Sequence, residues 1–142
     1  MRFEQFIKIG KVKKVSIDLA LAKGLIQNAY DDFNLIKNEE ITNENASFYL
    51  KNCYDCLRSA LQSFLTIKGY KSYSHEAIII FSSENNIISK ETANKIDKFR
   101  ILRNDIEYRA KRALLKETNE LISITKTLLP KLNFRLKDYM IK

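Results

Sequence analysis

The sequence predicts an all-α protein, an up-and-down bundle of about five helices in which two long antiparallel helices precede shorter ones. Two observations support this fold class. Only three glycines and one proline occur in 142 residues, which disfavours a sheet-rich fold with many tight turns. Hydrophobic residues make up 45% of the chain, enough for a single domain over residues 1–142 to bury a core.

The two long helices are predicted from apolar residues at helical spacing. The first runs from about Ser16, its N-cap, to Lys37. The second runs from about Glu44 to Lys68, and Gly69 ends it. The short polar connection between them favours antiparallel packing. The apolar stripes comprise Ile17, Leu21, Leu25, Ala29 and Phe33 in the first helix and Tyr49, Cys53, Leu57, Ala60, Leu61 and Phe64 in the second.

Two shorter helices are predicted next. One covers residues 75–82 after an N-cap at Ser74, and its apolar run indicates burial. The β-branched residues of that run are also compatible with a short strand. The other begins near Ser89 or Lys90 and carries Ile96, Phe99, Leu102 and Ile106 on one face.

The last helix is predicted over residues 111–129, where Pro130 ends it. A basic amphipathic tail over residues 131–142 follows a core of residues 14–130. Charge is concentrated at the two ends of a chain whose formal net charge is +8. Residues 1–15 carry five basic residues against one acidic residue, and residues 111–142 carry eight against three. If the ends lie together they form one positive patch suited to RNA or DNA phosphates; if they do not, they are two solvated tails.

No apolar stretch has the roughly 18 residues of a membrane span, and the first residues lack the apolar core of a signal peptide. We therefore expect a cytoplasmic protein without a membrane partner. Cys53 and Cys56 are adjacent on one helix face, but no second cysteine pair exists and His75 is the only histidine. The sequence predicts two buried core cysteines, no metal site and no cofactor.

The segment from Leu102 to Arg109 concentrates more hydrogen-bonding side chains than a structural helix usually does. Arg103 and Tyr108 are five residues apart, roughly 140° around a helix, and cannot share a face, whereas Asn104 and Tyr108 can. The alternative is a solvated helix end with Arg103–Glu107 and Asp105–Arg109 ion pairs, worth a few tenths of a kcal/mol each.

This arrangement resembles the HEPN domains (higher eukaryotes and prokaryotes nucleotide-binding) over roughly residues 14–130. The resemblance lies in the helix order, Lys68-Gly69, Ser74-His75, the apolar helix from Ile78 to Phe81, and the motif from Arg103 to Tyr108. It implies a homodimer in which the motif helices of two chains line one cleft. It also implies a frequent companion, a minimal nucleotidyltransferase of toxin–antitoxin type.

Ribonucleases of this family carry Arg, often followed by Asn, then three residues and a His, and here Tyr108 occupies the His position. The candidate catalytic residues that the resemblance implies are Arg103, Asn104 and Tyr108. Proton transfer near neutral pH suits a histidine, with a pKa of about 6.5, better than a tyrosine, at about 10. His75 is a substitute proton carrier if the fold brings it to the motif; otherwise it is a polar residue of a helix start.

The candidate nucleic-acid or nucleotide contacts are Arg103, Asn104, Arg109, Tyr70, Lys71, Tyr73 and His75. Tyr70 and Tyr73 follow Lys68 and alternate with Lys71, a combination that single-stranded nucleic acids bind. The sequence thus predicts an HEPN-like module that binds RNA or a nucleotide without catalysis. The alternatives are a metal-independent ribonuclease and a purely structural helical interaction protein.

Overall fold

The prediction of an all-α helical bundle is confirmed by a computed structural model, which describes residues 1–141. A small antiparallel sheet of two strands accompanies the helices. In chain order the elements are α1 (Phe3–Lys8), β1 (Val12–Lys14), α2 (Leu19–Asn34), α3 (Ala46–Ile67), β2 (Tyr70–Ser72), α4 (His75–Glu84), α5 (Lys90–Tyr108) and α6 (Leu115–Ile141). None of the helices within residues 1–141 is long and apolar enough to cross a membrane.

Helix α3 lies at the centre of the bundle and contacts α2, α4, α5 and α6. Its predicted apolar face is confirmed, because Cys53, Leu57 and Phe64 are buried. Helices α2 and α5 run antiparallel to α3, whereas α6 runs parallel to it. Thr125 of α6 lies 3.3 Å from the Cys53 sulfur, and the Tyr139 ring lies 5.4 Å from that of Phe64.

Helix α2 begins three residues later than predicted. Its N-cap is Asp18, whose carboxylate accepts a hydrogen bond from the Leu21 amide at 2.9 Å, and not Ser16. The first half of the predicted stripe is wrong, because Ile17 and Leu21 are 62% and 52% exposed. The buried residues are Ala22, Ile26, Ala29 and Phe33. Two alanines on this face let α2 approach α3 closely, which larger side chains at those positions would prevent.

Helix α6 continues through Pro130, so the predicted helix end there is wrong. Leu129, Leu132 and Leu136 are buried along one side. Pro130 itself is exposed, so the carbonyl that its missing N–H leaves unbonded faces the solvent side of the helix. Burial of three leucines at roughly 2 kcal/mol each outweighs a proline cost of roughly 3 kcal/mol. Most of the predicted tail is therefore part of α6, and its last residue, Lys142, lies outside the described residues.

Two elements near the start of the chain were not predicted. Helix α1 is too short for apolar periodicity to show, although Phe3 and Phe6 are buried. Strand β1 pairs with β2 in antiparallel register, with Val12 opposite Ser72 and Lys13 opposite Lys71. This sheet brings the basic N-terminal segment to the connection between α3 and α4.

The predicted ends of the middle helices agree with the structure. The side-chain oxygens of Ser74 and Ser89 accept hydrogen bonds from the Ala77 and Thr92 amides and cap α4 and α5. Helix α4 contains the buried apolar run, so the alternative of a strand there is wrong. Gly69 ends α3 with φ +81°, and a Cβ there would lie 2.9 Å from the Val15 carbonyl oxygen.

We expect Gly69→Ala to lower the free energy of unfolding by about 2 kcal/mol or more, because the left-handed backbone and the Val15 carbonyl both resist a methyl group. Gly24→Ala is the matched control. Gly24 lies inside α2 with no atom within 4 Å of an added Cβ, so this change should stabilise the protein by about 0.5–1 kcal/mol. Urea denaturation followed by circular dichroism measures both, and equal effects of the two changes would contradict the assignment of Gly69.

Candidate functional site

A polar strip on α3 faces α5. Lys51, Asp55 and Arg58 lie at spacings of four and three residues, on one side of an otherwise buried helix. The Lys51 ammonium donates to the Glu107 carboxylate at 2.9 Å, and this hydrogen bond lowers the Glu107 pKa. The predicted partner of Glu107, Arg103, instead pairs with Asp55. The motif end of α5 is thus held against α3 by charged contacts.

Two guanidinium groups share the one Asp55 carboxylate. Nε of Arg103 lies 3.4 Å from Oδ1 of Asp55, and Nη2 of Arg58 lies 3.9 Å from the same oxygen. The Arg103 side chain is only 18% exposed. These separations are longer than the 2.7–2.9 Å of a strong charge-assisted hydrogen bond. The two arginines are therefore only loosely compensated, and the three groups together carry one net positive charge.

Within residues 1–141, the buried side-chain polar atoms without a hydrogen-bond partner gather at this place. They are the Tyr54 hydroxyl, Oδ1 of Asp55, Nε of Arg58 and Nε of Arg103. Nε of Arg103 and Oδ1 of Asp55 are close enough for an ion pair but do not have hydrogen-bond geometry, whereas Nη2 of Arg103 donates to Oδ2 of Asp55 at 3.5 Å. An unsatisfied buried polar group costs about 1–3 kcal/mol of stability. Several such groups at one place are therefore not explained by the stability of the fold and indicate a candidate site.

His75 belongs to the same site. It is the first residue of α4 and is half-buried. Its pKa is lowered below the usual 6.5, first by burial and then by the positive charges of Arg58 and Arg103, while Asp55 opposes the shift. The imidazole is therefore held neutral near pH 7, with both hydrogen-bonding and proton-accepting capacity. We call Asp55, Arg58, His75 and Arg103 the arginine cluster.

Arg100, one turn before Arg103 on α5, is an arginine whose positive charge is fully compensated by carboxylates. Its Nε lies 2.7 Å from the Asp97 carboxylate, and its Nη2 lies 3.4 Å from that of Glu76. Arg100 therefore pairs with Asp97 within α5, and its contact with Glu76 joins α5 to the start of α4. The contrast with Arg58 and Arg103, which share one, separates a structural arginine from two candidate ligand-binding arginines.

The predicted motif residues separate in space. Arg103 lies in the arginine cluster, and Asn104 beside it is half-buried. Tyr108 is 77% exposed at the end of α5, so it and Arg103 do not share a face, as the helix geometry predicts. Arg109 is exposed and forms the predicted pair with Asp105, at 3.8 Å. The structure thus places His75 within electrostatic range of Arg103 and projects Tyr108 into solvent.

The residues after α3 that were predicted to contact nucleic acid also differ in their surroundings. The Tyr70 ring packs edge-on against Phe3 and Phe81, at 5.1 and 5.9 Å, and faces the core. Tyr73 is 58% exposed. Lys71 alternates with Tyr70 along β2 and so lies on the solvent face together with Tyr73. Lys71 and Tyr73 therefore remain available for a ligand, whereas Tyr70 has a packing role.

A surface groove of about 640 Å³ between α2 and α3 opens beside the cluster. Asp55 and Arg58 line it on one side. Phe48, which is exposed, and the amides of Asn28 and Asn52 line it further along. The groove has the size of a small-molecule site and combines an aromatic ring with hydrogen-bonding groups.

The cysteines lie in the core, as predicted. Cys53 and Cys56 are buried and unpaired, and burial raises the pKa of each thiol to about 12. Such thiols are protonated and inert at neutral pH. No group of three or more His, Cys, Asp or Glu side chains suited to a metal ion occurs in the described part of the chain.

Sequence reasoning missed Asp55, Arg58 and Lys13. The first two carried a signal in the sequence, because Lys51, Asp55 and Arg58 are the only charged residues of α3 and lie at helical spacing. Lys13 could not be recognised as a site residue from the sequence, because it is brought next to Lys71 by pairing of two strands that are about sixty residues apart in the chain. Comparisons with protein-family models, with curated proteins and with solved structures found no match to this chain.

We expect the pKa of His75, the only histidine, to lie below 6.5 and to rise in Arg103→Gln and Arg58→Gln, because each change removes a positive charge that disfavours the imidazolium. Asp55→Asn should lower it further. Proton NMR titration of the single imidazole measures all four values.

Because the folded-state pKa lies below the unfolded value, the free energy of unfolding should fall as the pH drops below about 6.5. A His75 pKa that is unchanged in both arginine variants would refute the placement of His75 in the cluster.

Proposed function

We propose that the protein is an HEPN-like helical module that binds RNA or a nucleotide through a phosphate group at the arginine cluster. The observation that carries the proposal is the single Asp55 carboxylate facing Arg58 and Arg103, whose buried Nε atoms lack hydrogen-bond partners among the described residues. Guanidinium groups bind phosphate oxygens through short charge-assisted hydrogen bonds. A phosphate would satisfy both Nε groups and compensate the net positive charge.

Two further features support a nucleotide as the bound group. The groove between α2 and α3 adjoins the cluster, and its lining includes Phe48 and the amides of Asn28 and Asn52. An aromatic ring and amides are what bind a nucleobase by stacking and edge hydrogen bonds. The basic residues of β1 and β2, which lie beyond the C-terminal end of α3, would attract a polyanion.

The resemblance to HEPN domains adds two partners to the proposal. One is a second copy of this chain, in a homodimer, and the other is a minimal nucleotidyltransferase that would form a toxin–antitoxin pair with it. Two exposed side chains on α5 support the dimer. Ile101 and Tyr108, seven residues apart and so on one helix face, are 48% and 77% exposed. Exposed apolar and aromatic side chains on the motif helix suit the packing of two motif helices across a shared cleft.

We expect Arg58→Gln and Arg103→Gln each to weaken binding of end-labelled single-stranded RNA about tenfold, the loss of roughly one charge-assisted hydrogen bond. Asp55→Asn should tighten it, because the competing carboxylate charge is removed. Fluorescence anisotropy over a range of salt concentrations measures both the affinity and its salt dependence.

Lys126→Gln on the exposed side of α6 is the matched control for loss of one charge, and circular dichroism checks that each variant is folded. If Arg58→Gln, Arg103→Gln and Lys126→Gln all bind as the unchanged protein does, phosphate binding at the cluster is ruled out. A structural role for the helical module then becomes the better proposal.

A second candidate function is metal-independent RNA cleavage in which His75 replaces the family histidine. The observation that favours it is the lowered pKa of His75 beside Arg58 and Arg103. A neutral imidazole can take the proton of the ribose 2′-hydroxyl as that oxygen attacks phosphorus, and the imidazolium can return the proton to the 5′-oxygen as the P–O5′ bond breaks. Arginine side chains stabilise the charge that develops on the phosphate. The products would be a 2′,3′-cyclic phosphate and a 5′-hydroxyl.

This second candidate predicts cleavage of single-stranded RNA in EDTA that is lost in both His75→Gln and Arg103→Gln and is retained in Tyr108→Phe. Acid–base catalysis contributes about 10²–10⁴-fold, so the loss in His75→Gln should be of that size. Gel analysis of end-labelled RNA distinguishes the outcomes. No cleavage by the unchanged protein removes the enzyme candidate and leaves the binding proposal in place.

A further inference from the structure

A second basic feature lies on the outer face of the small sheet, next to the arginine cluster. Lys13 of β1 stands directly opposite Lys71 of β2. The Tyr73 ring lies beneath both, with its centroid 5.7 Å from the Lys13 ammonium and 5.4 Å from that of Lys71. We call Lys13, Lys71 and Tyr73 the lysine–tyrosine ladder.

The ladder is unfavourable as a purely structural arrangement. Like charges directly opposite each other on paired strands destabilise a sheet. Neither lysine forms an ion pair with a carboxylate among residues 1–141. The Tyr73 ring offsets part of the repulsion through cation–π contact, yet it remains more than half exposed. Two unpaired ammonium groups beside an open aromatic face are the elements that bind a single-stranded polynucleotide.

The chain holds the ladder firmly. The Tyr73 amide donates to the Lys11 carbonyl at 2.8 Å. On the next residues, the Ser72 hydroxyl donates to the Ser74 carbonyl at 2.7 Å and accepts from the Ser74 amide at 3.1 Å. These bonds fix the path from β2 into α4, so Tyr73 has a defined position relative to the helix that follows.

That path leads directly to the arginine cluster. Tyr73 is two residues before His75, a separation of at most about 7 Å along the backbone. A single strand that crosses the start of α4 can therefore contact the ladder and the cluster together. The α4 start thus lies between a stacking surface and a phosphate site.

We propose that a single-stranded polynucleotide runs from the lysine–tyrosine ladder to the arginine cluster, with one base stacked on Tyr73 and a following phosphate at Arg58 and Arg103. The inference rests on the proposed function, because it takes the cluster as the phosphate site. The ammonium groups of Lys13 and Lys71 bind the phosphate that precedes the stacked base. The ligand is therefore at least two nucleotides long, and a mononucleotide occupies the cluster alone.

The test uses the full chain, an eight-residue single-stranded RNA, the DNA of the same sequence, and uridine monophosphate. Tyr73→Leu should weaken binding of the eight-residue strand about tenfold, through loss of base stacking, while Tyr73→Phe should bind as the unchanged protein does. Lys13→Gln and Lys71→Gln should each reduce the slope of log affinity against log salt by about 0.7. The RNA and DNA arms determine which sugar is preferred.

The matched control is Lys14→Gln, an exposed lysine on the same strand that is paired with Tyr70 rather than with the ladder. Its salt slope should match that of the unchanged protein. None of the ladder changes should alter binding of uridine monophosphate, followed through the His75 imidazole resonance. This insensitivity separates a loss of the ladder from a loss of the cluster or of the fold.

Two results would overturn the inference. The first leaves the proposed function standing, and the second contradicts the proposed function as well. If ladder variants bind the eight-residue strand normally while Arg58→Gln weakens it, the ladder has no part in binding and the proposed function stands. If ladder variants weaken binding while Arg58→Gln and Arg103→Gln do not, the strand does not reach the cluster, and the proposed function fails too. If polyglutamate competes with the eight-residue strand as strongly as unlabelled RNA does, the ligand is an acidic protein partner and not a polynucleotide.

Discussion

The structure depends on the burial of α3. Four other helices pack around it, and most of its side chains are excluded from water. A helix in that position can carry charge only where a neighbour supplies a counter-charge. Lys51, Asp55 and Arg58 occupy the one such strip, and α5 is the neighbour. The place of the motif helix is therefore set by the charges of α3 as well as by apolar packing.

The same constraint explains why the arginine cluster is incompletely satisfied. Lys51 and Arg100 have close acidic partners: the Lys51–Glu107 pair joins α3 to α5, and the Arg100–Asp97 pair lies within α5. Between them Asp55 must serve both Arg58 and Arg103, and the distances to it are long. Residual positive charge in a partly dry environment interacts more strongly with an anion than the same charge in water. This residual charge is the basis of the proposed phosphate site.

The sheet adds a second constraint on the site. Its inner residues, Val12 and Tyr70, pack into the core, and the two-residue period of a strand then directs Lys13 and Lys71 outward. Gly69 allows the chain to turn from α3 into β2 with the Val15 carbonyl close by. Basic residues that are far apart in sequence are thereby collected at the start of α4, beside His75.

The sequence by itself determined the fold class, the limits of α3, α4 and α5, and the buried cysteines, because these follow from local periodicity and capping residues. It also identified Arg103, His75, Lys71 and Tyr73 as chemically unusual. Only the tertiary structure decided the helical path through Pro130 and the register of α2, since both depend on packing against distant residues. It also decided that His75 lies within electrostatic range of Arg103 while Tyr108 projects into solvent, because α4 and α5 meet over α3 and α5 ends at Tyr108.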